Sequence, residues 1–293
     1  MNRPVSNWDF ALFSANLHKY LPEIGWNEHP VIYTRWKDHH AGQTNLDLCP
    51  PLSDMERLRL LPTGILLLFH LGHHLQLPIR LAQAGLQFDI VLDRAVYLQS
   101  PQLFDRLQGE MNGQGGEYRY LFSDDTSLLL RVRERLRSGR HLLIFVDGAS
   151  GAAVSAKDKR VAIPFLHGEL LLKKGIPLMA YLFGIAIYPL LCEDMPHGRQ
   201  YALQEAIRTR KGETRDAFIY RTLCQCYAML GKALHRQPWI WECWPYLHTN
   251  GMLQVTDADM LAIWQNDPML LLPLKEKYYL FDRRYYYAQP LTF

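Results

Sequence analysis

The chain has 293 residues, 48% of them hydrophobic and 21% charged, a balance that excludes a disordered or low-complexity protein and provides for a large buried core. A net charge of +3 with neutral histidines is too small to direct a nucleic-acid partner. Five cysteines (Cys49, Cys192, Cys224, Cys226 and Cys243) contain no CxxC pair and no zinc-ligand spacing, so reduced thiols in a cytoplasmic protein are expected.

Asp9, His18, Lys19 and Glu23 make the N-terminal stretch too polar for a signal peptide or a spanning helix, so no integral membrane anchor is expected. Residues 1–60 read as an N-terminal cap, with a short helix over 54–61 after the Cys49-Pro50-Pro51 breaker. Gly64 to Phe69 is a short, wholly apolar run that reads as a strand buried on both faces, ending at His70. A helix over 73–84 and a second buried strand over 88–92 follow.

Residues 101–111 and 125–138 read as helices, the second capped by Asp124 or Asp125. Arg131, Arg133, Arg135, Arg137 and Arg140 fit a solvated helix face. The strand 141–146 runs into the small-residue loop Asp147-Gly-Ala-Ser-Gly151, at the strand end where open α/β sheets place ligand sites. Beyond it the pattern gives an extended segment at 160–165, a helix at 169–174 capped by Glu169, one or two buried strands between Ile176 and Leu191, and a helix over 213–235. The fold class is therefore α/β, a mixed, mostly parallel sheet flanked by helices. The core spans 61–248, and 249–293 is a tyrosine-rich extension packing on it.

The segment Phe69-His-Leu-Gly-His-His-Leu-Gln76 brings His70, His73 and His74 together at a strand-to-helix junction, and histidine is the side chain best suited to proton transfer near neutral pH. The first turn of the following helix would add backbone N–H groups for an oxyanion. Metal binding by the three is disfavoured, because adjacent His73 and His74 diverge on a helix and no carboxylate lies nearby in sequence. An isolated histidine beside a strand is more often structural; three together favour function at His70.

A strand ending in His-x-Gly, the Asp-Gly loop, Val161-Ala-Ile-Pro-Phe-Leu-His-Gly168 and Pro238-Trp-Ile-Trp241, in that order, resemble the lipid A late acyltransferases of the lysophospholipid acyltransferase superfamily. The resemblance spans about 60–245. It implies transfer of an acyl group from acyl carrier protein or coenzyme A to a hydroxyl or amine, without metal or covalent enzyme intermediate. By position it implies His70 as general base, Asp147 as the aspartate of the second motif, and Arg160 lining the substrate groove. His167 falls in the family's glycine turn. His73 and His74 join the catalytic candidates; Gln76, Gly148, Arg160 and His167 are the substrate-binding candidates.

The family's acidic partner, five positions past the histidine, is Leu75 here. Asp147 from across the sheet, or His73 or His74 with Gln76, could take its place; otherwise acyl transfer is no longer efficient. The first is preferred. The expected protein is a cytoplasmic acyltransferase using an acyl-phosphopantetheine co-substrate, with a carrier protein or carrier domain and a small-molecule acceptor as partners and no bound cofactor. The missing anchor points toward secondary-metabolite assembly. A thioester hydrolase or cyclase, or a non-catalytic carrier-binding protein, are the alternatives; Trp239, Trp241 and Trp244 are read as packing.

Overall fold

In the computed structural model, residues 7–41, 49–53, 55–148, 160–195, 198–250 and 268–291 are described. Asp54, the Ala149–Gly151 end of the Asp-Gly loop, and 251–267 of the C-terminal extension lie outside them. The central sheet has six strands: β1 (Gly64–Leu68), β2 (Phe88–Leu92), β3 (Tyr120–Phe122), β4 (His141–Phe145), β7 (Ala186–Met195) and β8 (Gly198–Leu203), in the order β3-β2-β4-β1-β7-β8. All neighbours are parallel except β7 and β8. The fold is thus α/β with a mixed, mostly parallel sheet.

β1 lies between β4 and β7, with all five of its residues buried, which is why it carries no polar side chain. Sheathing each Leu from water contributes about 1.5–3 kcal/mol. Its two faces feed two cores: Ile65 and Leu67 join one, Leu66 and Leu68 the other, as alternation across a strand requires. Helix α9 (Arg215–Arg236) covers the first face with Phe218, Cys226, Leu230 and Leu234, and its N-cap Thr214 accepts from the Ala217 N–H.

Several sequence expectations need correction. The run 169–174 is a strand, β6 (Gly168–Lys173), in a hairpin with β5 (Arg160–Phe165). Leu170 and Leu172 are buried while Glu169 and Lys173 are exposed, the period of two that a strand imposes. Glu169 therefore caps no helix; it stands opposite Pro164. The segment after it is helix α8 (Gly175–Phe183), not strand, closed by Gly184 at φ +62°, a left-handed C-terminal position suited to glycine. Only then does β7 begin. Helix α4 runs Leu77–Gln83, starting four residues later than expected. Helix α7 (Leu128–Arg137) has Ser127 at its N-cap, so neither Asp124 nor Asp125 caps it directly; Asp125 instead accepts from Ser127. The strands at 120–122 and 198–203 and the helix 94–99 were not legible in the pattern.

The arginine cluster divides. Arg135 and Arg140 both bind buried Asp89, at 2.5 and 3.2 Å, whereas Arg131 pairs with Asp125 near the surface. Helix α1 (Trp8–Tyr20), itself in contact with α2 (His29–His40), carries a three-stranded antiparallel sheet, β9 (Met269–Leu274), β10 (Lys277–Asp282) and β11 (Tyr287–Leu291). Leu272 and Phe281 bury against Ala11 and Ala15 of α1. Among the described residues, no helix is long and apolar enough to cross a membrane.

Candidate functional site

The sheet register builds the site. Leu68 of β1 is paired with Phe145 of β4 in parallel, so the residues two further on, His70 and Asp147, emerge side by side from the carboxyl ends of adjacent central strands. The His70 Nδ1 donates to Asp147 Oδ1 at 2.7 Å, and the His70 backbone N–H donates to Oδ2 at 3.0 Å. A third donor, the Trp241 indole Nε1–H, reaches Oδ2 at 2.6 Å. Trp241 is brought there by the strand-like pairing of Leu71 with Trp241 and by the Glu242 N–H donating to the His70 carbonyl at 2.9 Å. The carboxylate is thus fixed by three N–H donors, with the Cys243 Sγ also 3.7 Å from Oδ2, while the His70 side chain keeps 24% of its surface exposed.

These contacts set the protonation states. Burial disfavours a charged His70, but the Asp147 charge and hydrogen bond outweigh it and hold the imidazole above its ordinary value. Burial works against the Asp147 anion too, yet the His70 charge and the donors from His70 and Trp241 pull it below the usual carboxylate range. With Nδ1 donating to Asp147, neutral His70 carries its lone pair on Nε2, the geometry of a general base with an orienting acid. Buried Cys243 sits behind the pair, its Sγ 3.5 Å from the Asp147 carbonyl, and burial pushes its thiol well up. The ligand atoms of His70, Asp147 and Cys243 lie within 4.8 Å of one another. A 2.7 Å His70–Asp147 hydrogen bond, with a further indole donor on the same carboxylate, marks a proton-sharing pair rather than a set of ligands spread around an ion.

The other expected residues disperse. The His74 ring meets His70 edge-on at 4.7 Å, and its Nδ1 lies 3.1 Å from Glu242 Oε2. Burial, with three neighbouring histidines, holds His74 far below its usual value, hence neutral. His73 turns away toward His39, 6.1 Å off, at φ +52°. Gln76 is buried at the start of α4 and does not reach the His70–Asp147 pair by any described hydrogen bond. His167 is exposed in the β5–β6 turn, where its Nε2 lies 3.3 Å from Glu23; a hairpin, not the expected turn into a helix, carries it away. The helix expected to supply N–H groups beside His70 begins only at Leu77, so that oxyanion hole is withdrawn. Leu75, at the family's acid position, packs against the core that holds Leu66 and Leu68.

Gly148 and Arg160 do line a cavity with Asp147. It measures about 350 Å³ and opens across the carboxyl ends of β2, β3 and β4, walled by Leu128, Phe145, Leu172, Ile176, Met179 and Leu182. Arg160 and Lys173, directly opposite each other on the β5–β6 ladder, also line it. No protein-family model and no curated protein matches the chain. Geometry alone therefore carries the functional reading. The element that sequence reasoning missed is Trp241: its motif was legible, but a tryptophan in an apolar stretch reads as packing, and only the sheet register shows its indole aimed at Asp147.

Proposed function

We propose that this chain is an acyltransferase of the lysophospholipid-acyltransferase type, moving an acyl group from a carrier-protein or coenzyme A thioester to an amine or hydroxyl. The observation that carries the reading is the His70–Asp147 pair: it supplies across the sheet the acid that Leu75 does not, beside an apolar cavity. In the proposed step, His70 Nε2 takes the proton of the acceptor O–H or N–H as the acceptor attacks the thioester carbonyl. A new C–O or C–N bond forms, and the tetrahedral intermediate collapses with cleavage of the C–S bond. The leaving thiolate takes the proton back from Nε2. Asp147 fixes the tautomer and stabilises the imidazolium meanwhile. Arg160 and Lys173 on the cavity wall suit the phosphate of a phosphopantetheine arm. Cytoplasmic action in secondary-metabolite assembly is part of this proposal.

Intact-mass spectrometry of acyl-loaded carrier proteins, incubated with wild type or His70→Ala and with candidate amines and alcohols, tests it. Acceptor-dependent unloading that requires His70 supports transfer. Unloading without acceptor converts the reading to a hydrolase or cyclase, and no unloading across a broad panel leaves a binding role.

A further inference from the structure

We infer that the protein has a second ligand site, for a small carboxylate- or phosphate-bearing molecule, in a polar cavity between α9 and β7. The cavity measures about 230 Å³ and shares no lining residue with the one beside Asp147. One wall is a stripe of α9: Met229, Lys232, Ala233 and Arg236 recur at i, i+3, i+4 and i+7, the positions that share a helix face. Facing it are Cys192 of β7 and Gln204, with Gln237 at the end of the helix.

Charge identifies the ligand. Lys232 and Arg236 stand one helical turn apart, where like charges repel, and neither forms an ion pair or hydrogen bond with a described residue. Both open into the same concavity, which concentrates their field on whatever enters it. A guanidinium and an ammonium on one concave wall make a receptor for a carboxylate or phosphate. A cavity of about 150 Å³ accommodates a benzene, so 230 Å³ admits an anionic molecule of roughly ten non-hydrogen atoms. The cavity beside Asp147 also carries two cations, Arg160 and Lys173, but sets them in a larger and more apolar wall.

Cys192 gives the readout, because it is half-buried on the wall of this cavity while Cys224, also half-buried, is absent from it. Iodoacetamide labelling of each cysteine is followed by mass spectrometry, with succinate or inorganic phosphate added and with sodium chloride at matched ionic strength. Succinate or phosphate is expected to slow labelling at Cys192 at least fivefold and leave Cys224 unchanged; whichever protects at lower concentration identifies carboxylate or phosphate as the preferred group. The exposed pair Lys232→Gln and Arg236→Gln together should abolish the protection without changing thermal unfolding. Titration calorimetry with the same two anions gives a second reading, with heat of binding in wild type and none in the double variant. Equal protection by chloride, protection that survives the double variant, or no protection and no heat with either anion overturns the proposal.

Discussion

Two histidines on the same chain stand in opposite electrostatic surroundings. His29, fully buried under the C-terminal sheet, shares a 2.6 Å hydrogen bond with Ser14, whose hydroxyl also accepts from Arg283 at 2.7 Å. Among the described residues no carboxylate stands against its ring; burial dominates and pushes His29 down to about 4, so it is a neutral bolt from the start of α2 to Ser14 of α1 and the Ile24 carbonyl. His70 is no less tied to the backbone, yet its partner is a carboxylate held by three donors, which lifts it above its ordinary value, and its ring keeps access to solvent. A buried imidazole becomes chemically useful when an anion opposes desolvation and one nitrogen stays reachable. Sealed against a hydroxyl, the same group only holds elements together.

The comparison is most easily broken at the two imidazoles themselves. His70→Ala is expected to lower the proposed acyl transfer by roughly 10³-fold or more in the folded fraction, the upper range of what a positioned base contributes. His29→Ala should do the reverse, costing on the order of 2–4 kcal/mol in denaturant unfolding through lost packing and orphaned polar groups, with turnover of the folded fraction retained. Loss of turnover in folded His29→Ala protein would show that the two histidines are not functionally separate.

Next in size is Asp147→Asn. The amide leaves His70 buried without its counter-charge, so transfer should fall by roughly 10²- to 10⁴-fold. The acid limb of kcat/KM should also move to lower pH, because the raised His70 value depends on the Asp147 charge. A profile unchanged in shape would mean that some other group sets the limb. Installing an acid at Leu75 should not restore the rate, since that side chain packs into the core beside Leu66 and Leu68.

How much of this was readable beforehand follows from the physics of each segment. β1 and β4 were legible because each is a short apolar run with turn residues on its flanks, Pro62 before β1 and Ser138-Gly139 before β4, and a strand buried on both faces takes that form. β6 and α8 were exchanged because 169–174 and 176–183 are short apolar runs too, and periodicity does not separate a buried helix turn from a strand at that length. His70 and Asp147 were legible one by one; their contact depends on β4 inserting beside β1, a non-local pairing that spacing does not report. His73 and Gln76 were drawn in by nearness in sequence and His167 by the family resemblance, and the backbone turns each elsewhere.

His29 also predicts a pH effect on stability. Its folded value, about 4 against an ordinary 6.5, means that the unfolded chain binds a proton which the fold excludes. The contribution is intact above about pH 6.5 and is lost as pH falls toward 4, amounting to about 3 kcal/mol. His40, pushed to about 3 by burial, acts in the same direction. Urea unfolding at pH 7.5 and 4.5 should therefore show a loss that is smaller by this share in His29→Phe. A variant with the full wild-type loss would assign the acid sensitivity to other groups.

The smallest effect sharpens the contrast furthest. Ser14→Ala removes one hydroxyl that His29 and Arg283 both use, and leaves the His70 site untouched. Arg283 retains the Pro268 carbonyl at 3.0 Å and His29 the Ile24 carbonyl at 3.2 Å, so the cost should be about 1–2 kcal/mol rather than that of a stranded charge. The kcat/KM profile should overlie that of wild type at every pH. If the acid limb shifted with Ser14, the bolt and the site would be electrostatically one system. The separation of a structural from a chemical histidine would then fail at its most sensitive point.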